Sequence, residues 1–172
     1  MEVRKARTKR LSWDDTFMGI AVLISERTSC RFYRAGSVFV GQDKRIISVG
    51  YNGATEGDVH CLEVGCTKIN KDQEGKFKRC RGIHAEINGI INSQDTKRLR
   101  GATIYTTIFP CYDCLKALNN VGIKEIVYLE KYERFKTGGE GKEEENEAME
   151  LAEKRGIKVR QYQLSDVEIK IK

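Results

Sequence analysis

A three-layer α-β-α fold, with helices on both faces of a mixed five-stranded sheet, is predicted by three observations. Short β-branched and aromatic runs alternate with stretches of helical periodicity in the order α-β-β-α-β-α-β-α-β. Only the first two strands are close enough in sequence to form a hairpin, so that pair is antiparallel, and the later strands, each reached through a helix, are parallel. The 172 residues suffice for one hydrophobic core and require no second domain.

Ser12 is an N-cap followed by the acidic Asp14 and Asp15, and Trp13, Phe17, Ile20, Ala21 and Ile24 recur at helical spacing, which predicts a first helix over 13–27. Residues 36–40 and 45–50 are β-rich runs flanking Gln42-Asp43-Lys44, the expected hairpin. From Ile83, apolar residues at 83, 87, 90 and 91 mark the buried stripe of a second helix. Thr103 to Ile108 form a third strand that leads into Pro110, a residue suited to a first helical turn, and the helix beyond it runs through Leu115, Leu118 and Val121 to Gly122. Glu125 to Leu129 make the fourth strand. The charged stretch 143–155 keeps Ala148, Met149, Leu151 and Ala152 on one stripe, stops at Gly156, and passes into a fifth strand at Ile157-Lys158-Val159. Gly138-Gly139-Glu140-Gly141 is a flexible turn, since it lacks the Lys-Ser/Thr of a phosphate loop.

Residues 54–82 break this alternation. They are polar, contain His60, Cys61, Cys66 and Cys80, and have low propensity for either regular structure, so a metal is expected to hold them. The organisation is then a flexible basic arm over 1–10, one domain over 11–164 with a Cys-rich insertion at about 54–82, and a tail over 165–172.

The net charge of +6 is concentrated in the arm, where five Lys/Arg stand against Glu2; the body is only slightly basic. No aromatic-interleaved basic stripe follows, so a nucleic-acid partner is not expected. No run approaches the ~20 apolar residues of a membrane span, and the N-terminus lacks a hydrophobic signal core. A cytoplasmic, reducing location is expected, where six cysteines serve as metal ligands rather than disulfide partners.

Chemistry concentrates in His84-Ala85-Glu86 and, after 23 intervening residues, Pro110-Cys111-Tyr112-Asp113-Cys114. An imidazole and two thiolates are three zinc ligands, the number that leaves a tetrahedral ion one open position. Cys111 and Cys114, at i and i+3, share a helix face, while Glu86 leaves the start of its helix in a different direction from His84 and is free to handle protons. Alone, a C-x-x-C suggests a redox pair and a lone His a core residue; together with the proline they form the H-x-E…P-C-x-x-C signature of the zinc nucleobase deaminases.

With Gly50-Tyr51-Asn52-Gly53 added to these motifs, the chain resembles the deoxycytidylate deaminase family, and within it the phage and bacterial competence-type branch. The resemblance runs from Trp13 to about Tyr132. It rests also on Trp13-Asp14 with Phe17-Met18, Arg45-Ile46-Ile47, Tyr105-Thr106-Thr107 before Phe109, and Gly122-Ile123-Lys124-Glu125-Ile126-Val127-Tyr128. It implies a cytidine-deaminase-like fold and conversion of dCMP to dUMP in dTTP-precursor metabolism. It also implies activation by dCTP and inhibition by dTTP, with Mg2+ accompanying the allosteric nucleotide, and a homo-oligomer, commonly a hexamer. Glu86 would be the proton carrier. The Ala85 amide would meet the pyrimidine O2, a carbonyl near Phe109 the 4-amino group, and Asn52 the deoxyribose hydroxyl; Tyr128 would either pack near the base or belong to the core. For the 5′-phosphate, Arg27, Lys131 and Arg134 are candidates without further support.

Four cysteines remain, Cys30, Cys61, Cys66 and Cys80, enough for a closed structural zinc site, with His60 able to replace its neighbour Cys61. The resemblance agrees, since some phage-type relatives join a cysteine after the first helix to ligands from the insertion. Two other functions compete: a deaminase of bases in tRNA or single-stranded DNA, supported by the basic arm alone, and a non-catalytic competence-associated zinc protein, against which Glu86 argues because ligation does not require it.

Overall fold

The computed structural model describes residues 10–69, 75–76, 79–131 and 141–164. The basic arm (apart from Arg10), residues 138–140 of the glycine-rich turn, Arg134 and the 165–172 tail lie outside the described residues. Within them, α1 (Trp13–Ser25), β1 (Gly36–Val40), β2 (Ile46–Tyr51), β3 (Gly53–Ala54), α2 (Cys61–Val64), β4 (Gly82–Ile83), α3 (Ala85–Asn92), a 3-10 turn (Thr96–Leu99), β5 (Thr103–Ile108), α4 (Tyr112–Val121), β6 (Glu125–Glu130), α5 (Gly141–Lys154) and β7 (Lys158–Gln161) follow in order. Five strands form one sheet in the order β2-β1-β5-β6-β7. β1 is antiparallel to both β2 and β5, and β5, β6 and β7 run parallel. The predicted mixed sheet is therefore present.

Alternation along the strands assigns the two faces. Phe39, Ile104, Ile126 and Tyr128 point to one side and pack with Leu115 and Leu118 of α4 and Ala148 and Ala152 of α5. Val38, Val40, Tyr105 and Val127 point to the other and meet Phe17, Met18 and Ala21 of α1. Trp13, at helical spacing from Phe17, is 53% exposed and stacks on it at 5.3 Å. Ser12 caps α1 as expected, its Oγ accepting from the Asp15 amide at 3.0 Å.

The first turn of α1 is also tied to the far edge of the sheet. Asp14 accepts from the Tyr105 hydroxyl at 2.7 Å and from Arg160 of β7 at 3.0 Å; Arg160 also donates to Glu125 at 3.1 Å. Burial alone would raise the Asp14 carboxyl, but the bonds from Arg160 and Tyr105 outweigh it and hold it below the ordinary range. A depressed carboxylate stabilises the fold above its unfolded pKa, about 3.9, and that stabilisation is lost as pH falls through the folded value. Asp14→Asn should lower the thermal midpoint at pH 7 by roughly 2–4 °C. The gap from wild type should shrink below about pH 4 in parallel melts; a gap of constant size would show that the Asp14 charge is not involved.

Two features were not anticipated. The insertion is closed at its neck by a two-residue ribbon, Gly53 pairing with Ile83 and Ala54 with Gly82. Helix α3 is fastened to β1 and β2 by four polar pins. The Ser37 and Ser48 hydroxyls donate to the carbonyls of Ala85 (2.9 Å) and Gly89 (2.8 Å), and the Asn88 and Asn92 amides donate to those of Tyr51 (2.8 Å) and Val49 (2.9 Å). Such bonds fix rotation and register, which apolar contact alone leaves loose. A Cβ on Gly50 would overlap the Ala85 carbonyl and the Gly89 amide, so helix and strand backbones are in direct contact there.

Candidate active site

Two helix starts converge on one point. His84 is the N-cap of α3 (φ −73, ψ 154) and Cys111 the N-cap of α4 (φ −66, ψ 166), both extended, so each side chain turns off the end of its helix. Pro110 therefore lies one residue before the cap and not in the first turn, since the cap position is taken by the thiol that must face His84. Cys114 follows in the first turn of α4. His84 Nδ1 is 3.4 Å from Cys111 Sγ and 3.3 Å from Cys114 Sγ, and the three donor atoms all lie within 4.8 Å of one another.

This donor set fits zinc. Bonds of about 2.0 Å to nitrogen and 2.3 Å to sulfur at tetrahedral angles place N and S about 3.5 Å apart. The proton balance agrees. Cys111 is pulled well below the usual thiol range by hydrogen bonds with Cys114 and His84, while its proximity pushes Cys114 up, so the two thiols resist ionising together. His84 is raised, chiefly by its bond with Cys111. A divalent cation among the three removes that conflict and leaves both thiolates paired. The positive ends of α3 and α4 favour negative charge at the same spot.

Glu86, in the first turn of α3, is 5% exposed and lines the cleft beside these groups. Burial raises its carboxyl above the ordinary range. Ala85 is buried at the first helical position, where an amide has no acceptor within the helix. Phe109 lines the cleft with its amide donating to the Glu130 carbonyl at 2.8 Å. Tyr128 is not among the cleft-lining residues. It is a core residue, 5.0 Å from Phe109 ring to ring and edge-on.

Asn52 lines the cleft, but its amide already clamps the preceding loop: Nδ2 donates to the Tyr33 carbonyl at 2.9 Å and Oδ1 accepts from the Ala35 amide at 2.9 Å. One N–H and one lone pair remain for a ligand. Sequence spacing could not show this tie, which lies 17 to 19 residues back along the chain.

Cys30, Cys61, Cys66 and Cys80 all line the same cleft. Cys61, raised mainly by burial, also feels the charges of Cys66, Cys30 and Cys80. Yet among the described residues only His84, Cys111 and Cys114 bring three donor atoms within 4.8 Å, so the four cysteines are neighbours that have not closed to ligand distance. His60 is exposed, pairs with Glu63 at 4.0 Å and does not line the cleft, whereas its neighbour Cys61 does. Lys68, which sequence reasoning passed over, lines the cleft as well, whereas Arg27 and Lys131 do not.

The family model described as the cytidine and deoxycytidylate deaminase zinc-binding region matches residues 11–130. ComE operon protein 2 of Bacillus subtilis is 35% identical over 95% of this chain and 78% of its own length. Deoxycytidylate deaminase of Saccharomyces cerevisiae is 30% identical over 96% of this chain, which spans only 49% of that protein. Among solved structures, a dCMP deaminase from the cyanophage S-TIM5 in complex with dCMP and dUMP superposes with a TM-score of 0.67 over 90% of this chain and 99% of its own; at 20% identity it bears on the fold alone.

Proposed function

Because the chain belongs to the cytidine and deoxycytidylate deaminase zinc-binding family, we propose that it is a dCMP deaminase, hydrolysing dCMP to dUMP and ammonia. The observation that carries this is the convergence of His84, Cys111 and Cys114 at ligand distance, with the buried carboxylate of Glu86 beside them on the cleft wall.

The three side chains would hold zinc, which when bound supplies a Lewis acid that lowers the pKa of a water to about 7. Glu86 then does the proton work. Its carboxylate takes a proton from water as the oxygen bonds to C4 of cytosine, and delivers it to N3. Glu86 next takes the proton of the new C4 hydroxyl and passes it to the 4-amino group as the C4–N bond breaks, leaving the uracil carbonyl and ammonia. One carboxylate serves both steps because they occur in turn. The Ala85 amide, unpaired at its helix start, suits the pyrimidine O2, the Phe109 backbone the 4-amino group, and the remaining valences of Asn52 the sugar hydroxyl.

A second zinc on Cys30, Cys61, Cys66 and Cys80 is part of the same reading. It is supported by four thiols lining one cleft and by the effect of the other three on the Cys61 thiol. The resemblance to deoxycytidylate deaminases supports regulation by dCTP and dTTP with Mg2+, a homo-oligomer and a cytoplasmic location. Among the described residues no helix is long and apolar enough to cross a membrane.

The test is ammonia release from dCMP beside dCTP, deoxycytidine and a cytosine-containing oligonucleotide, with zinc measured on the same preparation. Expected are turnover of dCMP over the other three and two zincs per chain. Turnover of the oligonucleotide alone would assign a polymer substrate, and one zinc per chain would remove the cysteine site.

A further inference from the structure

A nucleoside monophosphate carries a phosphate that is close to a dianion at neutral pH, and a cleft selecting it over the free nucleoside needs a cation within reach. Among the described residues lining the cleft, Lys68 is the one lysine or arginine. It lines the same cleft as His84 and Glu86. Lys68 is exposed and, among the described residues, has no hydrogen-bond or ion-pair partner for its ammonium.

Its backbone, by contrast, is well placed. Cys66 is buried, the Ile69 amide returns to the Cys66 carbonyl at 3.4 Å, and the Thr67 hydroxyl donates to the Arg79 carbonyl at 2.8 Å, tying the turn to the chain that enters β4. A long flexible stem on a fixed turn suits a point-charge contact to phosphate oxygens. We propose that Lys68 is the residue that selects the 5′-phosphate, its Nζ pairing with the phosphate while the base sits against Glu86. The proposal rests on the dCMP reading above and assigns the Cys-rich insertion a part in substrate choice.

The experiment compares wild type, Lys68→Ala and Lys68→Arg on dCMP and deoxycytidine, with zinc content and dUMP and deoxyuridine affinity measured on each. Expected for Lys68→Ala is a rise in KM for dCMP of about 10- to 100-fold, with kcat within about threefold and deoxycytidine turnover unchanged. Affinity for dUMP should weaken by the same factor, affinity for deoxyuridine should not move, and Lys68→Arg should recover most of the loss. Equal KM for dCMP in wild type and Lys68→Ala overturns the assignment. So does a matching loss on deoxycytidine and deoxyuridine, which would mean a displaced insertion. Wild-type protein that releases no ammonia from dCMP overturns the substrate reading itself, and the Lys68 assignment with it.

Discussion

Replacing Glu86 by glutamine is expected to lower kcat for dCMP by about 10²- to 10⁴-fold while zinc per chain stays at the wild-type value. Glutamine has nearly the same volume, so the packing of a side chain that is only 5% exposed is kept and the cleft keeps its shape. What disappears is a group that accepts a proton from water and returns it to nitrogen. His84, Cys111 and Cys114 are untouched, so metal content separates loss of chemistry from loss of the site. KM should stay within a few-fold, because the step removed lies after binding. The comparison is steady-state ammonia release and metal analysis on matched preparations. Activity within tenfold of wild type would take the proton-transfer role from Glu86.

Gly50→Val is the second large effect, and it acts through geometry. The new Cβ would overlap the Ala85 carbonyl and the Gly89 amide, both backbone atoms that cannot turn aside. Nor can α3 shift without stretching the four pins from Ser37, Ser48, Asn88 and Asn92. Overpacking of this kind costs about 1–3 kcal/mol. The larger consequence is at the site: His84 and Glu86 ride at the start of α3 while Cys111 and Cys114 ride on α4, so moving one helix by about 1 Å separates the ligands and costs about 100-fold in rate. Zinc affinity, kcat and thermal midpoint should fall together. A variant with native zinc affinity and activity would show that α3 has room over β2.

The chemistry was legible in the sequence because it depends on residue types at short spacing. His84 and Glu86, like Cys111 and Cys114, sit within three positions of each other, and each pair is aimed by a helix start with its own signature. The five long strands were legible for a similar reason, as alternation survives in runs of four to six residues. What was missed depends on partners distant in sequence. The β3–β4 ribbon has two residues per strand, too few for any period, and joins positions 28 and 30 apart. Gly50 stood out in the sequence without a reason, since the reason is a helix 35 residues further on. Asn52 offered no sign that its amide was already engaged by Tyr33 and Ala35. Lys68 looked like any surface lysine until the fold brought it to the cleft that His84 lines.

The β3–β4 ribbon has a bearing on how this protein can be changed. It brings the two ends of the 54–82 segment together immediately before His84, so the segment starts and finishes at one point of the domain. Closing a loop costs only about 0.6 kcal/mol more for each doubling of its length. The segment is thus a cassette: it can be lengthened, shortened or exchanged for another with its own recognition residues, while the catalytic helices keep their places behind the ribbon.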